Sequence, residues 1–165
     1  MKQEEERNNL ENLAHESVIH GEDVLKDENS EFKPMFGIGE PNTAYAKYFI
    51  GESFLNPLTK AGKPQIGIAN VTFSPKCRNN WHKHNASNGG GQILICTDGE
   101  GWYQEFGKDP ISLKPGMIIT IPANVKHWHG AKKDSWFSHL AFDVPGEITS
   151  TEWCEPVTDE EYDKL

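Results

Sequence analysis

His82-Lys83-His84 and His127-Trp128-His129 are two His-x-His pairs, and with Gln92 and His139 they make Trp81 to His139 the stretch that decides the fold. On a β-strand alternate side chains share a face, so His82 and His84 aim together, as do His127 and His129. Two such pairs facing one interior make a pocket dense in imidazole, and five of the chain's seven histidines lie in this stretch. Neutral imidazole is the commonest side-chain metal ligand. Clustered nitrogens with few carboxylates nearby suit manganese, iron, nickel, copper or zinc better than calcium or magnesium. The pattern predicts a divalent transition-metal site built on strands. Gln92 belongs with it, because Leu94 and Cys96 share its strand face and are apolar, which turns that face inward.

Outward from this centre the chain reads as short strands. Gln65 to Phe73 is a strand-length run stopped by Ser74-Pro75, and Tyr45 to Ile50 has the aromatic and β-branched content of another. Shorter runs follow at Gln92–Thr97, Gly101–Phe106, Met117–Ile121, Val125–His129 and Trp136–Val144, each bounded by Gly, Pro, Asp or Asn. Many short strands with regular turn signals and no βαβ rhythm predict an all-β antiparallel sandwich or barrel. Asp98-Gly99 is a hairpin signal between two of the runs. Thr158-Asp159-Glu160-Glu161 fits the capping box and predicts a short C-terminal helix. The division expected is an acidic, partly helical or disordered arm over residues 1–42, a barrel over 43–147 and a C-terminal segment over 148–165. His15 and His20, outside any ligand spacing, are expected on the surface of the arm.

Composition excludes several classes. With 16 Lys and Arg against 25 Asp and Glu, the formal net charge is −9, which repels phosphate backbones and anionic lipid surfaces, so neither nucleic acid nor membrane is expected as a partner. No apolar run approaches the ~20 residues of a membrane helix, and Met1 to Glu6 lacks the apolar core of a signal peptide. A soluble, cytoplasmic protein is the expectation. Cys77, Cys96 and Cys154 are widely spaced without a CxxC pair, which predicts free thiols rather than a disulfide framework or zinc ribbon. Trp102, Trp128 and Trp136 are expected in the core, with Trp81 a candidate for the pocket mouth.

The same residues resemble the cupin superfamily, whose two motifs run along a conical β-barrel. The first, G-x5-H-x-H-x3,4-E-x6-G, is matched by His82, His84 and Gly99, with Gln92 at the carboxylate position after a longer gap and Lys76 at the leading Gly. The second, G-x5-P-x-G-x2-H, is matched by Gly116, Pro122 and His127, with Asn124 at the inner Gly. Asn accepts left-handed backbone angles, so that departure is mild. The family's Asn four residues after the second-motif His is Ala131 here. The resemblance spans residues 43 to 145 and implies a cupin barrel, which commonly associates as a homodimer or higher homo-oligomer.

A narrower likeness bears on chemistry. Lys126 to Ala131, Ser138 to Ala141, Gly99 to Trp102 and Val157 to Tyr162 resemble small bacterial cupins often labelled carboxymuconolactone-decarboxylase-like, some of which act as manganese-dependent hydroxynitrile lyases. The likeness implies His82, His84, Gln92 and His127 as metal ligands and places two further active-site histidines at His129 and His139. Manganese is the expected ion, with iron, nickel or zinc as alternatives. Gln in place of a carboxylate leaves a divalent ion with no anionic protein ligand, hence a stronger Lewis acid. His129 and His139 are either supports, bonded to a ligand or to Asp143, or the general acid and base. Asp143 departs from the lyases, which carry Gln there. The implied function is lyase-type C–C bond chemistry on a small oxygenated substrate. Its rivals are a non-haem Fe(II) dioxygenase and a non-catalytic cupin that binds a metal or small ligand.

Overall fold

A computed structural model describes residues 32–59 and 66–165, so the helices expected before residue 32, His15, His20 and Gln65 lie outside the described residues. The strands in chain order are β1 (Glu40–Pro41), β2 (Phe49–Ile50), β3 (Ser53–Pro57), β4 (Ile68–Phe73), β5 (Arg78–Asn79), β6 (His82–Asn85), β7 (Asn88–Gly89) and β8 (Gln92–Gly99). They continue with β9 (Gly101–Glu105), β10 (Ile111–Leu113), β11 (Ile118–Ile121), β12 (His127–Ala131), β13 (Phe137–Asp143), β14 (Gly146–Glu147) and β15 (Ser150–Trp153), and the helix α1 (Asp159–Tyr162) follows. Among the described residues no helix is long and apolar enough to cross a membrane.

All strand pairings among the described residues are antiparallel. One large sheet runs β1-β3-β4-β13-β8-β11 and a second β10-β9-β12-β5-β2, with β6 pairing both β12 and β15, while β14 and β7 make a small two-stranded sheet. The core takes Phe73, Leu94, Cys96 and Phe137 from the first sheet and Tyr103 and Ala131 from the second, so the two sheets face each other across it. Along β8, Gln92, Leu94 and Cys96 are buried while the residues between them are partly exposed, the alternation of a strand with one covered face. The three cysteines are free, Cys77 and Cys96 buried.

The second sheet is covered on its outer face as well. Trp81, Trp128, Val157 and Tyr162 form a separate buried cluster there, with Trp102 packed against it. This explains why every residue of β12 is buried: His127 and His129 face inward while Trp128 faces the outer cluster. Thr158 opens α1 with a complete capping box, as the sequence predicts, its hydroxyl accepting from the Glu161 amide at 3.2 Å. Buried Arg78 donates to the Val157 carbonyl and pairs with Asp159, and its guanidinium lies 4.5 Å from the Tyr162 ring centroid. Tyr162 donates its hydroxyl to the Ala131 carbonyl at 2.8 Å, and burying its ring stabilises the clasp by roughly 2 kcal/mol.

Two local expectations are corrected. Tyr45 to Ile50 is a strand only at Phe49–Ile50. Ala46–Tyr48 is a 3-10 turn closed by Tyr48 N donating to the Tyr45 carbonyl, and the turn delivers Tyr48 to a stack on Trp153 at 4.4 Å. Nor does Asp98-Gly99 close a hairpin, because β8 pairs with β11 and β13 while β9 pairs with β10 and β12. The turn instead carries the chain from one sheet to the other. Gly99 sits at φ +67, where a Cβ would lie 1.8 Å from the Trp136 carbonyl oxygen. Asn124 adopts φ 67, as the motif requires, and bonds both backbone groups of Ala86 through its side chain. Lys76, at the other motif glycine, also takes a left-handed angle, φ 69.

Candidate metal centre

Strand pairing assembles the site. His82 lies opposite His127 in the ladder between β6 and β12, and their ring centroids are 4.2 Å apart. His84, two residues along β6 on the same face, is 5.3 Å from His82 and 5.6 Å from His127. From the facing sheet β8 brings Gln92, whose amide stands beside His84, and β13 brings His139. His129 closes the group, 4.9 Å from His139 and 5.6 Å from His82. All six residues singled out by the sequence thus meet at one place, beside a cavity of about 360 Å³ whose wall includes all of them but His127.

Burial fixes the charge state. His82 and His129 are pushed well below the ordinary imidazole range, His127 and His139 to about 4, and His84 downward, in every case chiefly by loss of solvation. Neighbouring imidazoles add to the effect at His82, His127 and His129, since a second positive charge there is repelled by the first. At His84 the Asp143 charge and the Gln92 side chain act in the opposite direction. The rings are neutral near pH 7, the state in which an imidazole offers a lone pair.

Hydrogen bonds decide which nitrogen offers it. His82 donates Nδ1–H to the Asn80 carbonyl and His127 donates Nδ1–H to the Val125 carbonyl, each at 2.9 Å, leaving Nε2 with the lone pair. His127 Nε2, His84 Nε2 and Gln92 Oε1 are buried with no hydrogen-bond partner. His127 Nε2 and Gln92 Oε1 are acceptors left without a donor, and with the unpartnered His84 nitrogen they are costly in a folded protein unless a ligand takes them, which is what a cation does. The donor set of neutral nitrogens and one amide oxygen fits a divalent transition metal.

His82, His127 and His129 have ligand atoms that all lie within 4.8 Å of one another. His129 is set apart from the other two by Asn79. Asn79 Oδ1 accepts from the His129 backbone amide at 3.0 Å, which fixes the amide orientation, so its Nδ2 donates to His129 Nε2, also at 3.0 Å. A neutral His129 therefore carries its proton on Nδ1, a buried N–H with no partner in the protein. It presents a donor where the other two present lone pairs. His139 has neither ring nitrogen bonded, so Asp143, four residues on, does not hold it.

The sequence gives no sign of Asn79 beyond its place near His82, and Trp153 was likewise missed. Trp153 lines the cavity and packs on His82 at 4.8 Å. Trp81, the expected mouth residue, points the other way and packs edge-on against Trp128 and Phe106.

A cupin domain model matches residues 69–140. The (R)-mandelonitrile lyase of Granulicella tundricola is 37% identical over 118 residues, covering 71% of this chain and 87% of that protein. Among solved structures, a cupin-like protein from Thermotoga maritima is 34% identical with a TM-score of 0.66, over 82% of this chain and 96% of that one. A predicted oxalate decarboxylase from the same organism shares the fold at 20% identity and a TM-score of 0.55, over 73% and 98% of the two chains.

Proposed function

The chain belongs to the cupin family, and from that premise we propose that it is a metal-dependent lyase that breaks or forms a C–C bond beside a hydroxyl-bearing carbon, as in a hydroxynitrile. The observation that carries this reading is the set of unpartnered buried ligand atoms, His84 Nε2, His127 Nε2 and Gln92 Oε1, with His84 and Gln92 in the wall of a cavity that His129 and His139 also line. Likeness to a mandelonitrile lyase supports the substrate class. We assign His82, His84, Gln92 and His127 as the residues that hold the ion, and manganese as the ion. Bound there without an anionic ligand, it supplies Lewis acidity towards a substrate oxygen.

The chain's own groups do the rest. His129 donates Nδ1–H to the substrate oxygen and orients it, the Asn79 amide holding the ring in the tautomer that makes this possible. His139, neutral and with a free lone pair, accepts the hydroxyl proton. The O–H bonding pair becomes the second bond of the carbonyl, the adjacent C–C bond breaks, and the leaving carbon departs with its electron pair. His139 then returns the proton to that carbon, so atoms and charge balance. Phe49, Leu55, Val71 and Trp153 supply an apolar wall for the rest of the substrate and exclude water.

The test is release of aldehyde from an aromatic hydroxynitrile by the manganese-loaded protein. Turnover that falls at least about a hundredfold in His139→Ala, with metal content unchanged, is expected for a general base. Full metal loading with no turnover on hydroxynitriles overturns the lyase reading. Manganese-bound chain that is inert throughout is a binding protein, and oxygen uptake with the iron-loaded chain points to oxidative chemistry instead.

A further inference from the structure

The cavity beside the histidines adjoins a second one of about 350 Å³, and His84, Asp143 and Thr151 belong to the walls of both. Among the described residues neither wall contains a lysine or arginine, and Asp143 is the one formal charge in either. Asp143 ends β13 directly opposite Gln92 in the ladder with β8, and it is exposed at the point where the two cavities meet. Gly67 on the neighbouring chain segment lies alongside it, a Cβ there standing 3.5 Å from Asp143 Oδ2, ordinary van der Waals contact. Among the described residues the carboxylate makes no hydrogen bond or ion pair with a side chain that would use up its charge, and the salt bridges lie elsewhere. Its field reaches the His84 imidazole.

We propose that Asp143 is a specificity-determining residue that receives a protonated amine, so that this cavity takes a hydroxy-amine in preference to a hydroxy-acid of the same shape. The inference rests on reading the cavity as the substrate site. Asp143 lines the same cavity as His129, His139, Phe49, Leu55 and Trp153, so for a ligand with its hydroxyl at the histidines and its apolar group against that wall, this carboxylate is the one formal charge among the described lining residues that a third substituent can meet. An ammonium there meets a carboxylate; a carboxylate there meets a like charge and, among the described residues, no compensating cation. Thr151, on the same junction, offers a hydroxyl to a neutral polar substituent.

Three probes separate charge from shape: 2-amino-1-phenylethanol, 1-phenylethane-1,2-diol and mandelate share the phenyl and the hydroxyl and differ in the third group, which is positive, neutral or negative. Their affinities are measured by calorimetry on the manganese-loaded protein and on Asp143→Asn and Asp143→Glu, each checked for full metal content, at low ionic strength because an exposed charge is screened by salt. Each probe is compared with itself across variants, which cancels any direct contact of the carboxylate with the ion. In Asp143→Asn the amine weakens about fivefold, the diol stays within about twofold and mandelate tightens by about the same factor as the amine loses, the range of an exposed ion pair. Asp143→Glu retains the wild-type order. Equal changes for all three probes, or an amine indifferent to Asp143→Asn, overturn the role of Asp143 and leave the substrate site standing. Failure of all three to bind the loaded wild type overturns the substrate-site reading and this inference with it.

Discussion

Mild acid destabilises the metal-free protein between pH 6.5 and 4, and the size of the effect follows from the buried imidazoles. His127 and His139 titrate at about 4 in the folded chain, against an ordinary value near 6.5 when unfolded. Between those values the unfolded chain binds more protons than the folded one, so lowering the pH draws the equilibrium towards unfolding. Stability is complete above about 6.5, declines as the pH falls, and stops responding to these two groups below about 4. Each contributes up to roughly 3 kcal/mol across the full interval, at ~1.4 kcal/mol for every pH unit between the folded and unfolded values, and His82 and His129 act in the same direction. By pH 5 the pair alone removes on the order of 4 kcal/mol from a domain whose total is about 5–15 kcal/mol. Glu100, Glu105, Glu152 and Glu155 are held low by lysines or other side chains at the surface, so what little they contribute is lost from the ordinary carboxylate value downward, below the pH range of the measurement. Urea unfolding of chelator-treated protein, followed by tryptophan fluorescence at pH 7.5, 6.5, 5.5 and 5.0, measures the slope. A free energy of unfolding that is level from pH 7.5 to 5.0 would refute neutral, buried imidazoles. Added manganese flattens the curve, because an ion that binds only the folded state opposes protonation of its ligands.

Three further outcomes are specific. In metal-free protein labelled at histidine nitrogen, NMR finds His129 as the Nδ1–H tautomer, and Asn79→Asp moves the proton to Nε2, where the new carboxylate accepts it; an Nε2–H ring in the wild type contradicts the Asn79 assignment. Gly99→Ala lowers stability by more than about 3 kcal/mol in denaturant unfolding, since the methyl would overlap the Trp136 carbonyl and the left-handed backbone angle is unfavourable for alanine. Tyr162→Phe removes the hydroxyl that donates to the Ala131 carbonyl and costs about 1–2 kcal/mol in the same assay, with metal content unchanged because the clasp lies on the far face of β12.

Much of the site was legible because the period of a strand is two. His82 with His84, and His127 with His129, had to share faces once they lay on strands, and the apolar Leu94 and Cys96 turned Gln92 inward with them. The two-sided burial of β12 was harder to see: Trp128 is buried as expected, but in a second core cluster beneath the C-terminal clasp. What stayed hidden depended on non-local pairing. A turn signal at Asp98-Gly99 says that the chain reverses, not which sheet receives the next strand. Asn79 occupies a two-residue strand, and its role appears only when β5 is laid against β12, where the amide meets His129 fifty residues on. Trp153 reaches the cavity because β15 pairs with β6, a contact across some seventy residues that no local pattern encodes. Tyr45 to Ile50 misled because aromatic content favours a strand only where a ladder partner exists, and here only Phe49 and Ile50 find one, on β5.

Metal content is the most direct test of the central claim that His82, His84, Gln92 and His127 hold a divalent ion while His129 faces the substrate. Protein purified without added metal or chelator is analysed for manganese, iron, nickel and zinc, beside His127→Ala, the double variant His82→Ala/His84→Ala, and His129→Ala. The account predicts about one ion per chain in the wild type and in His129→Ala, and close to none in the other two. Stoichiometric metal retained by His127→Ala, or lost in His129→Ala while the fold persists, would contradict it.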